Sequence, residues 1–272
     1  MYVSKPLDKK ITLPYLRKLK KQGEKFACLT AYDYSFARLM DKSGVEVVLV
    51  GDSLGMVIQG HETTLPVTVE HIEYHGQAVS RGLEKSLLMV DMPFGSLNSQ
   101  QQALDNASQI VKKTGAQVVK LEGGITQIKT VETLSKYNIP VCAHVGLQPQ
   151  SVHKMGGYRV QGRDHDSAIE MKDTALQIQE AGADLLLLEC VPEALATEIT
   201  QLLQIPVIGI GAGANCDGQI LVLQDLIGIT PDRPPSFSKN FMLENDSIET
   251  AISAYVTAVK NKTFPAASHC FS

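Results

Sequence analysis

Val47-Val48-Leu49-Val50-Gly51-Asp52-Ser53 is the stretch whose reading decides the fold. Four aliphatic residues stop abruptly at Gly-Asp-Ser. A run that is apolar at every position, rather than at alternate ones, fits a strand covered on both faces, as in a parallel sheet. The same pattern recurs along the chain. Leu87-Leu88-Met89-Val90 ends in Asp91, Val118-Val119-Lys120-Leu121 ends in Glu122, and Leu185-Leu186-Leu187-Leu188 ends in Glu189. Each run delivers one carboxylate at its C-terminal end. A closed parallel barrel gathers those ends on one rim, so the acids are expected to converge there and form the site.

Outward from that stretch, residues 26–30 read as the strand before it. A helix over 35–42 follows and stops at Gly44, a common C-terminal signal. Downstream, a polar loop covers 55–68. Helices are expected over 69–81, 99–114 with Ser99 as N-cap, 125–136, 167–181 and 192–203. Further strands are expected at 141–144, 207–210 and 219–223, and a second long loop covers 146–163. Long loops in compact domains are often functional. A short amphipathic helix over 11–20 carries Leu13, Leu16 and Leu19, with its Lys and Arg read as a solvated face, and a last helix covers 247–260. Eight strand signals alternating with helices give one (β/α)8 barrel domain over 1–272, with a short N-terminal helix and a C-terminal helical tail. An open doubly wound sheet is the alternative, but no Gly-x-Gly-x-x-Gly follows the first strand.

The composition suits that reading and excludes others. The 272 residues match the about 250 that such barrels take. A net charge of -4 offers no basic field for nucleic acid, and the absence of Trp removes an obvious base-stacking platform. Five cysteines without a Cys-x-x-Cys pair indicate neither a disulfide framework nor a zinc site; Cys28, Cys142 and Cys190, in or beside apolar runs, read as buried small hydrophobes in a reducing cytosol. The lysine-rich start has no apolar core of a secretory signal, and no apolar run approaches the roughly 18 residues of a membrane span. The expectation is a cytoplasmic protein acting on small molecules, with neither membrane nor nucleic acid as partner.

Asp52, Asp91 and Glu122 are hard oxygen donors on neighbouring strand ends, and their mutual repulsion is what a divalent cation relieves. Mg²⁺ suits them because it takes few protein carboxylates and keeps waters that a substrate displaces. The alternative is that some of them cap helices or pair with Lys and Arg. Lys120 stands two residues before Glu122 and so points to the same side. Buried there, it needs an anion, either a substrate carboxylate or one of the acids. His144 is placed to hydrogen-bond a carbonyl or enolate oxygen, or is structural. Glu189, after four leucines, reads as a general base raised by its apolar setting, or as a cap for the helix starting at Pro192. Glycines over 209–213 either cradle a phosphate or permit close packing. This chemistry alone points to a Mg²⁺-dependent enzyme that forms an enolate from a small oxo-acid.

The sequence resembles the ketopantoate hydroxymethyltransferase family. The matching segments are Thr30-Ala31-Tyr32-Asp33-Tyr34-Ser35, Val50-Gly51-Asp52-Ser53-Leu54-Gly55-Met56, Thr64-Leu65-Pro66-Val67-Thr68 and Val119-Lys120-Leu121-Glu122-Gly123-Gly124. They continue through His144-Val145-Gly146-Leu147, Gly156-Gly157-Tyr158-Arg159-Val160-Gln161-Gly162-Arg163, Leu188-Glu189-Cys190-Val191-Pro192 and Val207-Ile208-Gly209-Ile210-Gly211-Ala212-Gly213.

The resemblance implies transfer of a one-carbon unit from 5,10-methylenetetrahydrofolate to 3-methyl-2-oxobutanoate, giving 2-dehydropantoate for pantothenate and coenzyme A synthesis. It implies Mg²⁺ on Asp52 and Asp91 with Glu122 completing or orienting the shell. Ser53 and Lys120 would hold the oxo-acid carboxylate, His144 would lie beside the substrate oxygen, and Glu189 would accept the C3 proton. It also implies a fold similar to phosphoenolpyruvate-mutase and isocitrate-lyase enzymes, and a homodecamer of two pentameric rings. Val145 and Arg159 depart conservatively from the common leucine and lysine. Residues 1–25 and those after about Asn261 match weakly and are assigned nothing. Two rivals are a carbon–carbon lyase of the same superfamily, whose reactive loop cysteine has no counterpart over 55–68 or 123–126, and a barrel that binds without turnover.

Overall fold

Alternation along each strand sets the architecture. In the computed structural model the strands are β1 (Phe26–Thr30), β2 (Val47–Val50), β3 (Leu87–Asp91), β4 (Val118–Glu122), β5 (Val141–Gly146), β6 (Leu185–Glu189), β7 (Val207–Ile210) and β8 (Gly218–Leu221). Each pairs in parallel with the next, and β8 returns to β1, closing the barrel. Successive side chains point to opposite faces. Phe26, Cys28, Val47, Leu49, Leu87, Met89, Val118, Cys142, Leu185 and Leu187 fill the interior. Their neighbours Ala27, Leu29, Val48, Val50, Leu88, Val90, Val119, Leu121 and Leu186 pack outward against the helices. Burial on both faces is why these runs are apolar at every position.

The structure describes residues 2–157, 159–231 and 233–272; Tyr158, in one of the matching segments above, lies outside the described residues. The helices are α1 (Leu13–Gln22), α2 (Tyr34–Lys42), α3 (Leu54–Val57), α4 (Val69–Gly82), α5 (Gln100–Thr114), α6 (Ile128–Lys136), α7 (Val152–Met155), α8 (His165–Glu180), α9 (Glu193–Leu202), α10 (Leu223–Leu226) and α11 (Ile248–Lys260). Side-chain oxygens of Asp33, Thr68, Ser99, Asp164 and Ser247 accept backbone N–H groups in the first turns of α2, α4, α5, α8 and α11. Ser99 is thus the N-cap its sequence indicated.

Several element bounds differ by one or two residues from the sequence reading, and the loop expected over 146–163 contains a 3-10 turn, Pro149–Ser151, and α7. The loop expected over 55–68 opens with α3. The helix expected from 125 starts as a 3-10 turn, Gly124–Gln127, before α6. The eighth strand runs from Gly218 to Leu221 rather than over 219–223, and at its first residue the Phe26 ring occupies the space a Cβ would need. The basic residues of α1 are also not simply solvated. Lys20 Nζ lies 2.7 Å from Asp217 Oδ2 and donates to Thr200 O, and Arg17 pairs with Asp184. With Leu16 and Leu19 packed into the interior cluster beside Phe26 and Val47, α1 closes the N-terminal end of the barrel. At the seam between the first and last strands, the buried Tyr255 hydroxyl of α11 reaches Cys28 O at 2.9 Å and Gln219 O at 2.8 Å. Among the described residues no helix is long and apolar enough to cross a membrane.

Candidate active site

The strand period that packs the barrel also delivers its chemistry. Continuing the inward series Leu87, Met89 brings in Asp91; Val118 is followed by Lys120 and Glu122, Cys142 by His144, and Leu187 by Glu189. Register aligns them: Asp91 pairs with Lys120 across β3 and β4, and Glu122 with His144 across β4 and β5. These five, with Asp52 and Ser53 added by the turn after β2, line one cavity of about 620 Å³ at the C-terminal end. Gly51 holds the inward position that precedes Asp52. A Cβ there would stand 3.1 Å from Asp91 Oδ2, so the glycine lets Asp91 come close enough to accept the Asp52 N–H at 2.9 Å.

The acids, lysine and imidazole form one chain of contacts. Lys120 Nζ is 2.6 Å from Asp91 Oδ1, so the buried ammonium has found a carboxylate of the protein rather than standing alone. Gln150, in the long loop after β5, donates from its side chain to Asp52 Oδ2 at 2.8 Å and from its backbone to Glu122 Oε2 at 3.0 Å. His144 lies between two carboxylates, with Nδ1 3.5 Å from Glu122 Oε1 and Nε2 3.2 Å from Glu189 Oε2. Neither contact is aligned as a hydrogen bond. Ser53 Oγ shares a 2.7 Å hydrogen bond with the Tyr32 hydroxyl.

Burial and crowding decide the protonation of this group. Burial, with Asp91 and Glu122 beside it, pushes the Asp52 carboxyl up to about 8. Burial also raises Asp91, although Lys120 opposes it. For Lys120 burial disfavours the ammonium, but Asp91, Glu122 and Asp52 outweigh it and hold the pKa above the usual lysine value. Burial likewise works against charge on Glu122 and His144. Contact with His144 and Lys120 nevertheless holds Glu122 below its ordinary value, and the two flanking glutamates lift His144 to about 9. The site therefore carries more negative charge than Lys120 and His144 together satisfy, an environment suited to a cation.

Among the described residues no three His, Cys, Asp or Glu side chains are already arranged as a metal cage. Mg²⁺ does not require one, since it is usually held by one or two carboxylates with water and substrate filling the rest. The donor set fits on its chemistry: hard oxygens on Asp52 and Asp91, with the Asp52 pKa raised first by burial and then by the neighbouring Asp91 and Glu122 carboxylates, whose repulsion a divalent ion would offset.

Two further sequence expectations are settled here. Glu189 does not cap α9, which starts after Pro192 without a side-chain cap; it turns toward His144, so its surroundings are less apolar than the four preceding leucines imply. The glycines over 209–213 serve close packing. Gly209 faces Cys216, Gly211 lies under the rings of Phe237 and Phe271, and Gly213 abuts Glu193. Sequence reasoning assigned no role to Gln150, Tyr32, Phe237 or Phe271. Only the length of the loop after β5 hinted at the first, and nothing local placed Phe271 at the cavity.

Residues 10–267 match the family model described as ketopantoate hydroxymethyltransferase. The chain belongs to that family. Relatives agree along almost the whole length. The chain is 56% identical to the 3-methyl-2-oxobutanoate hydroxymethyltransferase of Nitrosococcus oceani, covering 94% of this chain and 97% of that relative. It is 53% identical to the enzyme of that name from Alkalilimnicola ehrlichii, covering 100% and 99%. Ketopantoate hydroxymethyltransferases are enzymes, and the barrel is an enzyme scaffold. Solved structures of similar fold include a phosphonopyruvate hydrolase in complex with oxalate and Mg²⁺, with TM-score 0.59 and 15% identity over 80% of this chain and 83% of that one. Another is 2,3-dimethylmalate lyase, described as a phosphoenolpyruvate-mutase/isocitrate-lyase superfamily member, with TM-score 0.56 and 15% identity over 77% and 80%.

Proposed function

We propose that this chain transfers a one-carbon unit from 5,10-methylenetetrahydrofolate to 3-methyl-2-oxobutanoate, forming 2-dehydropantoate for pantothenate and coenzyme A synthesis. The relatives' shared name supports the acceptor and the transfer. The observation that carries the chemistry is one cavity in which Asp52, Asp91 and Lys120 adjoin the His144–Glu189 pair. That arrangement supports holding an oxo-acid beside a carboxylate that takes its proton.

Asp52 and Asp91 would hold Mg²⁺, with Glu122 completing or orienting the shell through the Gln150 bridge. When bound, the ion supplies a Lewis acid that polarises the 2-oxo group toward its enolate. Lys120 and Ser53 bind the acid's carboxylate; Lys120 keeps its charge because the surrounding carboxylates stabilise the ammonium. Glu189 removes the C3 proton. His144, protonated near neutrality and 3.2 Å from Glu189 Oε2, orients that carboxylate and presents a donor beside the substrate oxygen.

The whole chain acts as a single barrel domain, in the cytoplasm. The homodecamer follows the family resemblance, and the exposed Tyr34 and Tyr74 of α2 and α4 offer apolar surface for such contacts. The deciding experiment is proton NMR of 3-methyl-2-oxobutanoate in D₂O with protein and Mg²⁺, before and after adding methylenetetrahydrofolate. Loss of the C3 signal, blocked by EDTA, followed by a new hydroxymethyl resonance supports both half-reactions. Exchange without transfer removes the folate donor, and no exchange removes the enolate.

A further inference from the structure

The acids, Lys120 and His144 occupy one side of the cavity, and a short branched oxo-acid fills only that part. At about 620 Å³ the space is of a size that takes drug-sized ligands. The remaining wall has a different character. Beside Asp225 and Thr230, which hydrogen-bond to each other, it is mainly apolar and aromatic, with Ile220, Val222, Pro235, Phe237 and Phe271, and the exposed Arg159 and Arg233 also line it.

This second wall is built rather than incidental. Phe271 accepts the backbone N–H of Glu193, the first residue of α9, at 2.9 Å. Its ring meets Phe237 edge to face, with centroids 6.4 Å apart and planes at 76°. Both rings lie over Gly211, where a Cβ would stand 3.0 Å from each; Gly211 also has φ +59°, a region that favours glycine. Upstream, Phe264 is buried against Phe241 and Tyr255, which pins the segment that carries Phe271 to α11. The exposed guanidinium groups of Arg159 and Arg233 make no ion pair with any described residue.

We propose that Phe271 and Phe237 form the seat for the flat ring of the one-carbon donor, and that Arg159 and Arg233 receive the carboxylates of its tail. The inference rests on the transferase reading above and deepens it. It gives part of the donor specificity to Phe271, which lies after α11 and beyond the matched residues 10–267. Aromatic edges and faces bind a fused nitrogen heterocycle through stacking and apolar contact. Exposed guanidiniums with no ion pair among the described residues suit a carboxylated tail that remains partly in water. One substrate with both features spans the wall, while the oxo-acid stays at the acidic side.

The test is calorimetric binding to the full-length protein of three probes: tetrahydrofolate, its triglutamate, and a tetrahydropterin without the glutamyl tail. Phe271→Ala is expected to weaken all three by about tenfold, and Phe271→Leu by less. The double variant Arg159→Gln/Arg233→Gln is expected to weaken tetrahydrofolate severalfold and the triglutamate more, with the tetrahydropterin within twofold of wild type. In catalysis, Phe271→Ala should lose far more folate-dependent transfer than folate-independent C3 exchange. Wild-type affinity in both Phe271 variants overturns the seat, and equal losses for tailed and untailed probes overturn the arginine assignment. If Phe271→Ala does not fold, Phe271→Leu alone decides the seat. Equal loss of exchange and transfer makes Phe271 a general support of the cavity and also overturns the proposal. Wild-type protein that neither exchanges nor transfers disproves the transferase reading itself, a result separate from any of these.

Discussion

His144 on β5 and Glu189 on β6 face each other across adjacent strands, Nε2 to Oε2 at 3.2 Å, with the His144 Nδ1 edge turned to Glu122. In the proposed reaction the proton acceptor and its orienting imidazole are thus placed by strand register, before any loop contributes. The arrangement gives Glu189 a definite task. Glu189→Gln should lower C3 proton exchange at least about a hundredfold, the usual scale for a lost general base. Mg²⁺ and oxo-acid binding should remain near normal, as read by calorimetry. Loss of binding with exchange would make Glu189 a ligand instead.

The same imidazole makes stability depend on pH. Burial opposes its charge, but Glu122 and Glu189 lift its pKa from 6.5 to about 9 in the folded protein. A pKa raised on folding contributes stability that is complete below the unfolded value and is lost as pH rises through the folded one. The metal-free protein should therefore have a falling thermal midpoint between pH 6.5 and 9. His144→Gln should flatten that slope; an unchanged slope would remove His144 as its source.

Repulsion among the rim carboxylates predicts the response to metal. Asp52, pushed up to about 8 by burial, Asp91 and Glu122, is relieved either by a cation or by losing its own charge. Removing divalent ions with EDTA should lower the thermal midpoint at pH 8, and Mg²⁺ should restore it. Asp52→Asn should raise the midpoint of the metal-free protein while reducing the gain from Mg²⁺. An equal gain in wild type and variant would take Asp52 out of the ion's shell.

Away from the cavity, Tyr255 offers a packing-neutral test. Its hydroxyl serves Cys28 O and Gln219 O and is fully buried. Tyr255→Phe keeps the ring against Phe241 and Phe264 but leaves that polar seam without its donor. A loss of about 1–3 kcal/mol is expected, seen as a lower thermal midpoint with exchange activity kept.

How much of this was legible in the sequence depended on distance along the chain. Apolar runs that end in an acid are local signals, and the period of two carries Asp91, Glu122 and Glu189 to one interior without further information. Asp52 was found for its position after the run, although strand parity alone would have pointed Gly51 inward; the turn into α3 brings Asp52 to the cavity. Lys120 was expected inside, but its choice of Asp91 over a substrate depends on register between β3 and β4. Gln150 and Phe271 had no local signature. The first reaches the carboxylates from an irregular loop, and the second depends on a hydrogen bond to Glu193 from far along the chain. The pairing of the basic face of α1 was hidden for the same reason, since its partners Asp184 and Asp217 stand just before β6 and β8, far along the chain.

The ladder joining β1 to β8 pairs Phe26 with Gly218 and Leu29 with Leu221. Every other neighbouring pair of strands is also consecutive in the chain, so this is the one junction that sequence order cannot assemble step by step. Until it forms, the first seven strands make a curved sheet with two raw edges, each able to accept a strand from another molecule. Crowded refolding should therefore be most hazardous in the interval before residues 218–221 dock, when the polypeptide already has nearly all its strands but is not yet a cylinder.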